Sequence, residues 1–424
     1  MTLLLMVMAL LVLLLLRVPA AIALLVPSLV YILIDATVGL GTAAQQTMSG
    51  VNTFPLLAVP LFILMGNIAN VSGISDRLFD AATAIFGRLR GSLGYVNVAT
   101  SFGFAWMSGA AISDAAAMGR VQVPAMVKRG YPEGFTLGLT ASSSLIAPIL
   151  PPSIPAIIYA VTAGISVGAL FVAGIIPALL LMFALCVVVF LKLRKRDDLR
   201  LERVSGRERW MPVLTALPSF GTAVIVLGGI LGGFFTPTEA AGVAVLYMLL
   251  LALCYRSIKW HQLKRALTNS VETGGSVLLI VCAAALFGWV LSREQAPQVV
   301  ADLIFEITTN PIAFLILLNI ALLIVGAVLE PTAAILILVP VLSPVATMFG
   351  LEPLHVAVIV IFNLMLGLLT PPVGLVLYVL SSVTNYSVTK VIRGVAPFYG
   401  ILLLVLVLIT FFPFFSTWLP SIIS

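Results

Sequence analysis

The amino-acid sequence predicts an all-α protein that crosses a membrane many times. Of its 424 residues, 61% are apolar and only 9% are Asp, Glu, Lys or Arg, where a soluble domain carries about 25% charged residues. A spanning helix needs about 20 apolar residues, and between Arg129 and Lys192 the only charge is Glu133. The apolar runs are long and continuous, unlike the short alternating strands of a membrane β-barrel. A soluble enzyme and a disordered chain are excluded. The net charge of +6, from 22 basic and 16 acidic residues, lies in loops. Membrane orientation explains it better there than nucleic acid does.

Taken in order, full spans are expected near 3–16, 19–36, 54–72, 134–165, 167–191, 212–234, 238–255, 270–292, 354–381 and 394–418. The stretch Met1 to Leu16 has no basic n-region and no small-residue cleavage site, so it reads as a retained first span. Ile74 to Arg90 is amphipathic, with Ile74, Leu78, Ala82, Ile85 and Leu89 at helical spacing. Two further apolar blocks, 95–127 and 312–348, are each broken near the middle by Gly, Ser, Pro and one acid. They read as re-entrant helical hairpins, the alternative being two ordinary spans each. The three cysteines, Cys186, Cys254 and Cys282, are far apart in apolar surroundings and suggest neither a disulfide framework nor a metal site.

Lys and Arg orient the chain. The linker Lys192 to Arg209 holds eight basic residues, and Arg256, Lys259, Lys264 and Arg265 form a second cluster two spans later. With both in the cytoplasm, loop parity places 21 of the 22 basic residues inside and Arg293 alone outside. Both termini are then periplasmic. Trp210 and Trp260 fall at a cytoplasmic aromatic belt, Trp289 and Trp418 at an outer one.

The chain also repeats. A span, an amphipathic segment, a hairpin and two spans follow one another from residue 54 and again from 270. Asp114 precedes Pro124 by ten residues, as Glu330 precedes Pro340, and each hairpin is followed by a Pro-Pro pair, Pro151-Pro152 and Pro371-Pro372. By parity one unit starts outside and the other inside, so the repeats are inverted, as in many secondary transporters. The division expected is N-terminal scaffold spans (1–53), a first repeat with broken helix 134–165 (54–191), a charged cytoplasmic linker (192–211), scaffold spans with a cytoplasmic segment (212–269), and a second repeat with broken helix 354–381 (270–418).

Four broken places carry candidate chemistry: Ser108-Gly109 through Asp114, Ser142-Ser143-Ser144 through Pro148 and Pro155, Gly326 through Glu330-Pro331, and Gly367 through Thr370-Pro371-Pro372 to Gly374. Irregular backbone at membrane depth is tolerated only inside protein or along a cavity. Half-helix carbonyls suit a hard cation such as Na⁺, and half-helix N–H groups suit a carboxylate. An acid at membrane depth is a functional candidate, yet Asp114 and Glu330 also read as helix N-caps. The serines also read as satisfying nearby helix carbonyls. Thr236-Pro237-Thr238-Glu239 fits a capping box. His261 and His355 fall in expected loops without metal spacing. No Gly-Lys dipeptide occurs, which excludes an ATP P-loop.

Five motifs in order, WMSGAAISDAAAMGRVQVPAMVKRGY, ASSSLIAPILPPSIPAIIYA, TPTEAAGVA, EPTAAILILVP and GLLTPPVGLVLYV, resemble the large membrane subunit of tripartite ATP-independent periplasmic (TRAP) transporters. The resemblance runs from about residue 3 to 418. It implies a Na⁺-driven importer of an organic acid, such as a C4-dicarboxylate, sialic acid or another sugar acid, in a bacterial inner membrane. It implies as partners a periplasmic substrate-binding protein and a small four-helix membrane subunit on a separate polypeptide, Na⁺ as coupling ion and no other cofactor. It also implies an elevator mechanism, in which hairpins and broken helices move as a transport domain against a scaffold. Carried onto this chain, one Na⁺ site uses Ser108, Gly109 and Asp114 with Ser142 to Pro148, and the other Gly326 and Glu330 with Gly367, Thr370 and Gly374. Substrate would meet Ser142, Ser143, Ser144, Pro152 and Thr370. The first tip reads Ser108-Gly109-Ala110-Ala111 where the family often has more serine, which shifts substrate contacts toward backbone and Ser142 to Ser144. A stand-alone Na⁺/dicarboxylate symporter of related architecture and a non-transporting assembly subunit are the alternatives.

Overall fold

The computed structural model describes residues 2–35, 38–200 and 207–423. Part of the charged linker, 201–206, lies outside the described residues. Among the described residues the secondary structure is helical throughout, with no strand. Eight helices of 18 to 34 residues among the described residues are long and apolar enough to cross a membrane.

Glycine and proline set the breaks. The first hairpin is Ser92–Ser108 and Ala111–Lys128, turned at Gly109-Ala110. The second is Pro311–Val328 and Pro331–Met348, turned at Leu329-Glu330. The first broken helix runs Glu133–Ser143, then a 3₁₀ turn Ser144–Ile146, then a loop to Ile154–Ala163. The second runs Pro353–Gly367, then a loop to Leu375–Thr384. Both Pro-Pro bonds are cis.

The broken helices form the centre of the molecule. Every residue from Thr136 to Ala160 and from His355 to Leu369 is buried. That explains helices apolar on all faces, which cannot face water on any side. The halves are exchanged between repeats: Ile154–Ala163 packs on the second hairpin's Pro331–Met348, and Leu375–Thr384 packs on the first hairpin's Ala111–Lys128. Hairpins and broken helices therefore interlock as one body. Around it, the helix Trp260–Arg293 packs on Ala20–Ile34, Leu40–Val51 and Ala58–Val71, and Pro237–Cys254 packs on Ala58–Val71. The amphipathic Ile74–Phe86 lies between Ser92–Ser108 and Arg207–Ala216.

Several elements depart from the sequence expectation. Residues 260–269, expected in a cytoplasmic segment separate from the span at 270–292, belong with it to one 34-residue helix, Trp260–Arg293. At 1.5 Å per residue it is about 51 Å long, well beyond a ~30 Å hydrocarbon core. The Lys259 N–H donates to Gln262 Oε1 at 2.8 Å and starts it. Leu40–Val51 is an additional helix, seated on Trp260–Arg293 by Gly50, where a Cβ would strike Ala285. The span near 212–234 is irregular, with a π-helical turn over Val224–Gly228. The last span stops at Phe411, and Pro413 starts a separate helix, Phe414–Ile423, that packs on Val167–Leu193. Both histidines lie in first helical turns rather than loops. His261 is exposed, whereas His355 is buried, with Nδ1 2.7 Å from Ser416 Oγ and Nε2 3.1 Å from the Thr410 carbonyl.

Candidate ion and substrate site

Each hairpin tip is docked onto the loop of its own broken helix. In the first repeat the Ile154 N–H donates to the Gly109 carbonyl at 3.3 Å; in the second the Val373 N–H donates to the Ala327 carbonyl at 3.2 Å. Gly109 is left-handed (φ 60°) and lies so close that an added Cβ would strike the Pro152 carbonyl. In the second repeat Gly326 and Gly367 meet backbone to backbone, and a Cβ on Gly367 would overlap Gly326. These contacts bring together Ser108, Gly109 and Pro152 in one cluster and Gly326, Gly367, Thr370 and Gly374 in another.

Asp114 is the fourth residue of its helix and 0% exposed. Ala110, not Asp114, occupies the cap position. Neither carboxylate oxygen has a hydrogen-bond partner, and the Ser101 hydroxyl faces it without closing a bond. Ser108 Oγ and Ser142 Oγ are likewise buried without partners. Unpaired buried oxygens are rare and costly. Four of them lie on Asp114 and Ser108 of the first hairpin and Ser142 of the first broken helix.

The other two serines are engaged. Ser143 donates to Asn97 Oδ1 at 3.0 Å and lies 3.1 Å from Ser101 Oγ, and Ser144 donates to the Ala141 carbonyl at 2.8 Å. The Pro148 carbonyl accepts from the Ser153 hydroxyl, which also caps Ile154–Ala163 through the Ala156 N–H at 3.1 Å.

The second cluster differs. Glu330 is an exposed N-cap. Its Oε2 accepts from the Ala333 N–H at 3.1 Å and its Oε1 from the Thr332 hydroxyl at 2.7 Å. Thr370 donates to the Leu366 carbonyl at 3.0 Å. Pro371 and Pro372 are exposed, whereas Pro151 and Pro152 are buried. Gly374 is left-handed, φ 50°, at the start of Leu375–Thr384.

Comparisons with known proteins decide the family. The family model for the DctM component of the tripartite ATP-independent periplasmic transporter matches residues 7–415. The chain belongs to that family. It is 40% identical over 405 residues to the sialic acid TRAP transporter large permease protein SiaM of Vibrio cholerae, covering 95% of each chain. It is 37% identical over 369 residues to the C4-dicarboxylate TRAP transporter large permease protein DctM of Pseudomonas aeruginosa, covering 87% of this chain and 86% of that one. Its fold is similar to the crystal structure of the YdaH transporter of Alcanivorax borkumensis, with TM-score 0.63, 16% identity, and 91% and 90% of the two chains covered.

In this DctM-family permease the sequence pointed to Asp114, Ser108 and Ser142 but missed the amides that join each hairpin to its broken helix. Asn97 donates to Thr140 Oγ1 at 2.7 Å and accepts from Ser143, joining hairpin to broken helix. Asn363 Nδ2 donates to Asn319 Oδ1 at 2.8 Å in the second repeat. Ser143 and Asn363 each stand eight residues before their Pro-Pro pair, so the link is repeated. The available signal was a lone amide inside an apolar helix, which at membrane depth marks a specific partner. Gln122, donating to the Asn97 carbonyl at 3.3 Å, extends the buried polar network.

Proposed function

We propose that this chain is the permease subunit that imports an organic acid anion, a sugar acid such as sialic acid or a C4-dicarboxylate, by Na⁺ symport. The observation that carries the reading is the group of unpaired buried oxygens on Asp114, Ser108 and Ser142. A carboxylate and two hydroxyls are hard oxygen donors suited to an alkali cation, and the cation would offset the cost of burying the charge. The Pro148 and Gly109 carbonyls would add backbone oxygens to the set. The second cluster, Gly326, Glu330, Gly367, Thr370 and Gly374, is its counterpart, but there the acid already caps a helix. Substrate would lie against Ser142, Pro152 and the opposite loop at Thr370. The sialic acid and C4-dicarboxylate relatives support a carboxylate substrate. A periplasmic substrate-binding protein would deliver it, a small membrane subunit would complete the assembly, and both would operate at a bacterial inner membrane with the permease termini outside.

The interlocked body of hairpins and broken helices would carry the load past the scaffold. A cavity of about 400 Å³ lies between them, bordered by Gly50, Ala285, Gly288 and Trp289 on the scaffold and Leu336 and Pro340 on the second hairpin.

The test is uptake by the reconstituted complex under an imposed Na⁺ gradient. Choline in place of Na⁺ should abolish uptake, and Asp114→Asn should fold yet lose Na⁺-dependent thermal stabilisation, because a charge-assisted contact is gone. Uptake indifferent to Na⁺ but driven by a pH gradient would overturn the reading in favour of proton coupling.

A further inference from the structure

The C-terminal end of Val167–Leu193 borders a cavity of about 600 Å³ whose wall carries Arg88, Arg90, Arg194, Lys195 and Arg200. That volume is within the range of small-ligand sites. Among the described residues Asp197 pairs with these charges, accepting from Arg90 Nε at 2.7 Å and from Arg200 Nε at 3.3 Å. Asp198 is turned onto Arg196 at 2.8 Å instead. Arg90 Nη1 is fixed further by the Arg194 carbonyl at 3.3 Å. Gly91, left-handed at φ 66°, and Gly94 seat the first hairpin closely against the Leu193 and Val189 side chains.

The rest of the lining is apolar or amphipathic. Phe190 and Leu89, 54% and 44% exposed, stand beside the basic groups, with the Tyr95 ring between hairpin and span. A soluble anion gains nothing from exposed Phe190 and Leu89. A phospholipid does, because its phosphate meets the guanidinium groups while its glycerol and first methylenes cover the apolar wall. Basic pockets between spans at the cytoplasmic face suit anionic headgroups, with about 1 kcal/mol for each Lys or Arg near the surface. We propose that this cavity is a binding site for the phosphate of an anionic membrane phospholipid, which ties the first hairpin to the span Val167–Leu193.

The experiment is a thermal melt of the full chain in detergent, titrated with phosphatidylglycerol, phosphatidylcholine or inorganic phosphate. Phosphatidylglycerol should raise the melting temperature saturably and phosphatidylcholine should not. The triple variant Arg88→Gln/Arg194→Gln/Lys195→Gln should raise the half-saturating phosphatidylglycerol concentration roughly a hundredfold, and Arg88→Gln alone about fivefold. Removing equal charge elsewhere, by Lys259→Gln/Lys264→Gln/Arg265→Gln, should leave it within about twofold. The single variant keeps the test open if the triple variant does not fold. Titrations of the Arg88 variants matching the parent would overturn the site, and an equal shift from inorganic phosphate would overturn the lipid assignment.

Discussion

Asp114 and Glu330 each stand ten residues before a proline, yet the structure gives them different work. The first hairpin's second helix begins thirteen residues before Pro124 and the second's only nine before Pro340. That offset of about one turn puts Asp114 inside a helix, buried, and Glu330 at a helix start, exposed. Sequence spacing showed the repeat but not the register of the helix start, because Ala110-Ala111 carries no cap signature. Glu330→Ala should cost about 1 kcal/mol in chemical or thermal unfolding, and Glu330→Asn should recover most of it, since Asn is a strong cap. Gly367→Ala should cost about 3 kcal/mol or more, because its methyl would overlap the Gly326 backbone. Gly275→Ala, with open space around it in a helix interior, should be neutral or stabilising by up to about 1 kcal/mol.

At the scale of the element, the breaks were legible and some continuities were not. Gly109, Leu329-Glu330-Pro331 and the two Pro-Pro loops interrupt helices where sequence breakers stand. The helix Trp260–Arg293 was divided in the sequence expectation because charge stops and hydrophobicity begins near residue 270, but polarity does not end a helix. Nothing between Trp260 and Arg293 removes a backbone donor. Leu40–Val51 was missed because it is short and too polar for a span, and only Ala43 is buried; tertiary packing holds it. Conversely Pro413 was read through, although the residue before a proline disfavours helix. The capping box at Thr236 and Glu239 was read correctly: Glu239 accepts the Thr236 N–H at 2.8 Å and donates its own N–H to Thr236 Oγ1 at 3.3 Å. Val271→Pro separates the two readings of the long helix. Val271 is 73% exposed, so packing loss is small. In a helix interior the proline should cost about 3 kcal/mol, visible as a lower melting temperature, whereas the first turn of a span starting at 270 would accept it.

At the scale of the whole molecule, the exchanged halves of the broken helices join the two repeats into one body, an arrangement that spacing within either repeat does not reveal. The proposed import depends on that body moving against the scaffold helix Trp260–Arg293. Gly288 on that helix faces Pro340 of the second hairpin, with 3.7 Å between a Cβ built on Gly288 and Pro340 Cβ, close to the mean disulfide separation of about 3.8 Å. Gly274 and Pro60, both in the scaffold, lie 3.3 Å apart by the same measure. In a background without Cys186, Cys254 and Cys282, the pair Gly288→Cys/Pro340→Cys and the pair Gly274→Cys/Pro60→Cys are each oxidised before substrate uptake is measured in proteoliposomes. With a moving body, oxidation stops uptake for Gly288→Cys/Pro340→Cys, reduction restores it, and the scaffold pair transports in both states. Full uptake by the cross-linked Gly288→Cys/Pro340→Cys protein would contradict a moving body.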